Sequence, residues 1–167
     1  MRFHGIETDS EGNIDVTAWG GKMNLPDVTA AVGLAQLSRL DSFNRRRREL
    51  AELYLRRLPA TDVLVLPADA AGHSWHMFCV CIDHVALGKT RTEMLSLFSE
   101  HGIAVGTHYP AMHLFSLYRQ YGYSEGDFPV AERIGEQTLT LPLFPAMTAA
   151  DVEHVCATVT AIVSGQI

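Results

Sequence analysis

The sequence predicts an α+β fold: a small, mostly antiparallel sheet covered on one side by helices and preceded by a long helix. Three observations carry that expectation. An apolar stripe at helical spacing runs from Val28 to Leu58, and two Val/Ile/Phe/Cys-rich runs at 62–66 and 74–83 read as strands. The stretch from Val152 to Val163 then repeats apolar residues on one helical face.

In chain order, residues 1–25 are polar, Gly-rich and weakly periodic, an irregular segment that continues from a part of the fold not in this sequence. Residues 26–58 form the long connecting helix. Asn24 suits its N-cap, Pro26 its first turn and Asp27 the positive end of its dipole, and Val28, Ala31, Val32, Ala35, Leu37, Leu40 and Phe43 line one face. A helix of that length bends or breaks near Asp41 to Asn44. Residues 59–167 form the small C-terminal domain. Within it, 62–66 is a short strand closed by Pro67, and Ser74 to Asp83 a longer one after the Gly72 turn. Thr90 with Glu93 makes a capping box that opens a helix stopping at Gly102. Ile103 to His108 reads as a strand, His113 to Tyr121 and Val130 to Thr138 as short helices, and Leu139 to Leu143 as extended. Thr148 and Asp151 cap the last helix, whose face is Val152, Val155, Cys156, Val159, Ile162 and Val163.

The net charge of -6 argues against nucleic acid or an anionic membrane as a partner. No apolar run approaches the roughly 20 residues needed to cross a bilayer, and the opening Met1-Arg2-Phe3-His4-Gly5 lacks the apolar core of a secretory leader. Three cysteines, two of them inside an apolar run, read as small buried hydrophobes, which fits a cytoplasmic protein. The basic run Arg45 to Arg48 circles a helix and reads as solvated charge with one or two ion pairs.

His73-Ser74-Trp75-His76 does not read as a metal site, because residues three apart on a strand face opposite ways. Gly106-Thr107-His108-Tyr109-Pro110-Ala111-Met112-His113 is the stronger candidate. It gathers His108, Tyr109 and His113 at a strand end and the following turn, where they can bind a phosphate or sugar hydroxyl. Gly20-Gly21-Lys22-Met23-Asn24-Leu25-Pro26-Asp27 approaches a helix N-terminus and suits a phosphate, although simple capping accounts for it equally. No nucleophile elbow or reactive-cysteine context is present.

Taken together and in order, these segments resemble the DegT/StrS-type nucleotide-sugar aminotransferases. The carrying stretches are Arg2-Phe3-His4-Gly5, the Gly20 to Asp27 entry, Ala30 to Leu37, Arg46-Arg47-Arg48-Glu49, His73 to Phe78, Gly102 to Pro110 with His113, and Leu141-Pro142-Leu143-Phe144-Pro145. The subgroup most resembled makes UDP-4-amino-4-deoxyarabinose. The resemblance implies the C-terminal lobe of a PLP fold type I transferase, active as a homo-oligomer on a nucleotide-sugar substrate, with pyridoxal phosphate (PLP) as cofactor. It implies a contact from Asn24 to the PLP phosphate of the neighbouring subunit, and places His108, Tyr109 and His113 near the sugar-nucleotide entrance. Met23 departs from the pattern, where an aromatic is usual.

PLP transamination needs a lysine amine to hold the cofactor and move the substrate proton. The only lysines are Lys22 and Lys89, and neither resembles the family's lysine segment, which the resemblance places upstream of Met1. The expectation is therefore a lobe that is not catalytic alone and needs a large PLP domain, from its own assembly or a separate chain. Two alternatives stand beside it: a non-catalytic dimerisation or regulatory module, and a small sugar- or phosphate-binding domain using His108, Tyr109 and His113. The helix face at Val28, Val32 and Ala35 is expected to pack on the large domain or a second subunit.

Overall fold

Two short runs rich in β-branched residues, Ile6–Thr8 (β1) and Ile14–Val16 (β2), pair as an antiparallel hairpin in the computed structural model, which describes residues 5–23 and 25–167. Asp9 builds the turn. Its carboxylate accepts from the N–H groups of Glu11 and Asn13, each at 2.9 Å, and from Asn13 Nδ2 at 3.0 Å. These bonds, the Asn13 side chain first, hold the Asp9 carboxyl below the ordinary carboxylate range. The segment read from sequence as irregular thus has a ladder; three residues on each side are too few for a period of two to stand out.

Next comes α1 (Asp27–Leu37), with Pro26 at the cap position and no side-chain cap. Asn24, expected as both cap and cofactor contact, lies outside the described residues. α1 buries none of its residues, and Val28, Val32, Leu34 and Leu37 are all exposed. The helix ends where the Arg39 N–H bonds Gln36 O, and α2 (Leu40–Arg57) begins at once. The expected bend is therefore a break at Ser38 and Arg39. The chain divides into two compact units, 1–41 and 42–167, so most of α2 belongs to the second.

The second unit is organised by a three-stranded antiparallel sheet of β3 (Leu64–Val65), β4 (Phe78–Ile82) and β5 (Thr138–Leu141), with β4 central. Phe78, Val80 and Ile82 alternate inward and oppose Leu141 and Leu139 on β5 and Leu64 on β3. They join one core with Leu50, Ala51 and Tyr54 of α2, Met94 and Phe98 of α3 (Arg91–Glu100), and Val152, Val155, Val159 and Ile162 of α6 (Ala149–Val163). Between α3 and α6 lie a 3₁₀ turn (Met112–Leu114), α4 (Ser116–Arg119) and α5 (Pro129–Gln137). α5 lies against β4 and runs directly into β5.

The expected capping box at Thr90 and the expected cap at Thr148 both form, the second also as a capping box. Thr90 Oγ1 accepts from the Glu93 N–H at 3.2 Å and Glu93 Oε2 accepts from the Thr90 N–H at 2.7 Å; Thr148 and Asp151 repeat the pattern. In the basic run the expected ion pairs form, Arg46 on Glu49 at 3.0 Å and Arg48 on Asp69 at 3.5 Å, but the run is not solvated all round: Arg47 Nε is buried without a hydrogen-bond partner among the described residues. Arg46 also donates to Met147 O at 2.7 Å, which ties α2 to the entry of α6.

Two expected strands differ. Ser74 to Met77 is not strand, because Trp75 takes a left-handed backbone (φ 49°) that turns its indole fully into the core. The Trp75 N–H donates to His73 Nδ1 at 2.9 Å, and the ring stacks on Phe78, which stacks on Tyr54 with centroids 4.7 Å apart. The expected strand from Ile103 to His108 is a single bridge at Gly106.

Burial pushes the Cys156 thiol from 9.0 up to about 11, and pushes the Tyr54 hydroxyl further up still. Both groups favour the folded state while protonated, so their contribution is complete below the unfolded value and is lost as pH rises toward the folded one. Unfolding free energy is expected to fall between pH 9.0 and about 11, with a Cys156 share of about 2–3 kcal/mol. Urea titrations across that window should show a shallower pH slope in Cys156→Ala; an unchanged slope would exclude the thiol.

Candidate functional site

The loop 106–113 is seated on β5. Gly106 and Thr140 exchange two backbone bonds, Gly106 N–H to Thr140 O at 3.0 Å and Thr140 N–H to Gly106 O at 2.7 Å. Because Thr140 spends its backbone groups on Gly106, its pairing with Cys79 on β4 is the non-hydrogen-bonded kind, in which side chains approach closely. Cys79 Sγ lies 3.3 Å from Thr140 Oγ1, and His108 Nδ1 lies 2.8 Å from the same oxygen.

Two glycines make room for this seat. A Cβ on Gly106 would stand 2.4 Å from His108 Cε1, so the absence of a side chain there lets the imidazole fold back over its own backbone. A Cβ on Gly135 of α5 would stand 2.6 Å from the Ala111 backbone nitrogen, so only glycine lets the loop lie on that helix. Neither requirement is visible in the sequence, where Gly106 falls in an expected strand and Gly135 in an expected short helix.

His113 is buried, and its Nε2 meets Glu132 Oε1 at 2.8 Å. The same carboxylate accepts from the Gly126 N–H at 2.9 Å and the Phe128 N–H at 3.2 Å, closing the N-terminus of α5. Partial burial acts to raise the Glu132 carboxyl, but the Gly126 and Phe128 N–H groups and His113 together outweigh it and hold it below the ordinary range. Phe128 packs edge-on to the His113 ring at 4.9 Å.

The structure therefore brings His108 and Tyr109 together, with rings edge to face at 4.9 Å, His108 half-buried and Tyr109 exposed. It turns His113 away into the interior. Sequence reading missed Thr140, Cys79 and Glu132; only Glu132 left a signal, as an acidic residue in the first turn of a helix that opens with Pro129. Among the described residues no group of His, Cys, Asp and Glu could hold a metal, and no helix is long and apolar enough to cross a membrane.

The DegT/DnrJ/EryC1/StrS aminotransferase family model matches residues 1–160. SpsC, a spore coat polysaccharide biosynthesis protein of Bacillus subtilis (strain 168), is 39% identical over 155 residues, which is 90% of this chain and 40% of SpsC. The aminotransferase TlmJ from Streptoalloteichus hindustanus is similar in structure, with a TM-score of 0.80 and 35% identity over 99% of this chain and 43% of TlmJ. DesV of S. venezuelae, solved in complex with a ketimine intermediate, gives a TM-score of 0.80 and 31% identity over 95% of this chain and 41% of DesV. The chain spans about two-fifths of the length of each of these relatives.

The described residues do not by themselves fit PLP. Lys22 is exposed, and Lys89 sits in the turn before α3, its backbone bonded to His84.

Proposed function

The chain belongs to the DegT/DnrJ/EryC1/StrS aminotransferase family and has the fold of part of a PLP fold type I aminotransferase; from that premise we propose that it is the small lobe of a PLP-dependent nucleotide-sugar aminotransferase. In this reading it contributes surfaces to an active site whose lysine comes from a large domain, on the same polypeptide or another. The observation that carries the proposal is the family match over residues 1–160 in a chain that spans about two-fifths of the length of its relatives.

The lobe's own residues then bind and orient substrate while the large domain supplies the cofactor amine. His108 and Tyr109 are the proposed substrate contacts, and His113 holds their loop through Glu132. Asn24 is the proposed contact to the cofactor phosphate of a neighbouring subunit, and a homo-oligomer is the proposed assembly. α1 supports a covered position. It is apolar around its circumference yet buries nothing in this chain, and such helices are normally enclosed.

The test is reconstitution. The purified chain with PLP is expected to show no cofactor band in the visible spectrum and no amino transfer to a keto-sugar nucleotide. Co-expression with the portion of SpsC outside the match should restore both. A cofactor band from the chain alone that disappears in Lys22→Ala would overturn the proposal.

A further inference from the structure

We propose that Thr140 is a positioning residue that fixes the tautomer of His108, so that His108 serves as an N–H donor through Nε2 to an oxygen acceptor of a ligand. The identity of that ligand rests on the aminotransferase reading; the ring geometry does not.

Three atoms define the arrangement. Thr140 Oγ1 is shared by His108 Nδ1 at 2.8 Å and Cys79 Sγ at 3.3 Å. A hydroxyl has one proton and two lone pairs, so it can donate to only one of the two neighbours and remains free to accept from the other. An imidazole nitrogen is a good acceptor, whereas a thiol sulfur is a weak one and its S–H a weak donor. The assignment that uses the hydroxyl proton best has Thr140 O–H donating to His108 Nδ1, with the Cys79 S–H donating to Thr140 Oγ1. The reverse order would spend the hydroxyl proton on sulfur. Nδ1 is then bare, and the ring proton of the neutral imidazole must sit on Nε2.

The surroundings hold the ring where this chemistry requires it. The Gly106–Thr140 bridge fixes the backbone of the loop against β5 two residues before His108. The absence of a Cβ at Gly106 lets the imidazole fold back onto Thr140. Tyr109 closes one edge of the ring. Nε2 has no hydrogen-bond partner among the described residues, on a ring that is only half-buried. His113 is the contrast: its Nε2 is already committed to Glu132, on a ring that is 8% exposed. Of the two histidines in the loop, only His108 keeps its Nε2 without a partner among the described residues, and Thr140 decides that this nitrogen offers a proton rather than takes one. His108 in this form binds; it does not act as a base.

The test reads the imidazole nitrogens directly, by NMR of the chain labelled with ¹⁵N-histidine near neutral pH. His108 is expected to show a protonated Nε2 and a bare Nδ1. Thr140→Ser, which keeps the hydroxyl, should preserve that signature. Thr140→Val, nearly isosteric but without the hydroxyl, should lose it and give mixed tautomers, while His113 stays unchanged on Glu132. Cys79→Ala should leave His108 protonated at Nε2, since the stronger bond is intact. A protonated Nδ1 in the native chain, or the same spectrum in Thr140→Val, would overturn the assignment. Should Thr140→Val fail to fold, Thr140→Ala, which also lacks the hydroxyl, is expected to give the same mixed tautomers, and an unchanged spectrum there would equally overturn the assignment. A confirmed tautomer without amino transfer in the reconstituted protein would remove the aminotransferase reading and leave the role of Thr140 in place.

Discussion

Phe78→Ala is expected to destabilise the 42–167 unit by about 3–5 kcal/mol, the usual cost of emptying a fully buried aromatic site. Phe78 lies on the central strand, opposite Leu141, with no exposed surface. Its ring is the middle of a three-ring stack, 4.7 Å from Tyr54 and 5.7 Å from Trp75. Alanine would strip a face from both neighbours, one of which reaches the far side of the core through Tyr54 Oη donating to Pro142 O at 2.9 Å. Urea unfolding should show a lower midpoint at unchanged slope. A loss below about 1 kcal/mol would mean that the core collapses into the space, contrary to close packing.

Gly135→Ala should be destabilising by about 1–2 kcal/mol, against the sign that helix propensity alone predicts. Alanine in mid-helix normally gains roughly 1 kcal/mol over glycine. Here the new Cβ would meet Ala111 N at 2.6 Å and Pro110 C at 3.1 Å, backbone atoms that cannot rotate away. Relief requires shifting the loop or the helix, and such overpacking typically costs 1–3 kcal/mol. Amide hydrogen exchange should accelerate at Ala111 to Leu114 before it changes in α6. An alanine variant as stable as the parent, with a quiet loop, would show that the close approach is unimportant.

Some of this was legible in sequence, and the difference is physical. α3 and α6 announce themselves because their start signals are local: Thr90 with Glu93 and Thr148 with Asp151 need only three residues of chain to form. The alternation of β4 is equally local. Trp75 reads as strand from sequence because its left-handed turn has no local signal and serves to place an indole in a core that only the folded chain assembles. The strand expected at Ile103 to His108 shrank to one bridge because pairing depends on where β5 passes. At the candidate site, the sequence places His108 and Tyr109 beside a proline turn, and the fold holds their rings edge to face. Proximity along the chain groups His113 with them, yet its partner Glu132 stands 19 residues away and its ring is buried. Thr140 looked like any β-branched strand residue, and its second role appears only when Cys79 and His108 arrive from different segments.

The junction of α5 with β5 has a consequence for inheritance. No linker separates Gln137 from Thr138, so residues 132–140 form one unbroken stretch that touches the loop at three places: Glu132 on His113, Gly135 on Ala111, and Thr140 on Gly106 and His108. The loop and that stretch are matched like a key and its ward. Recombination that exchanged 106–113 between homologues without 132–140 would deliver the right side chains to the wrong seat, so the two segments are expected to travel, and to vary, as a pair.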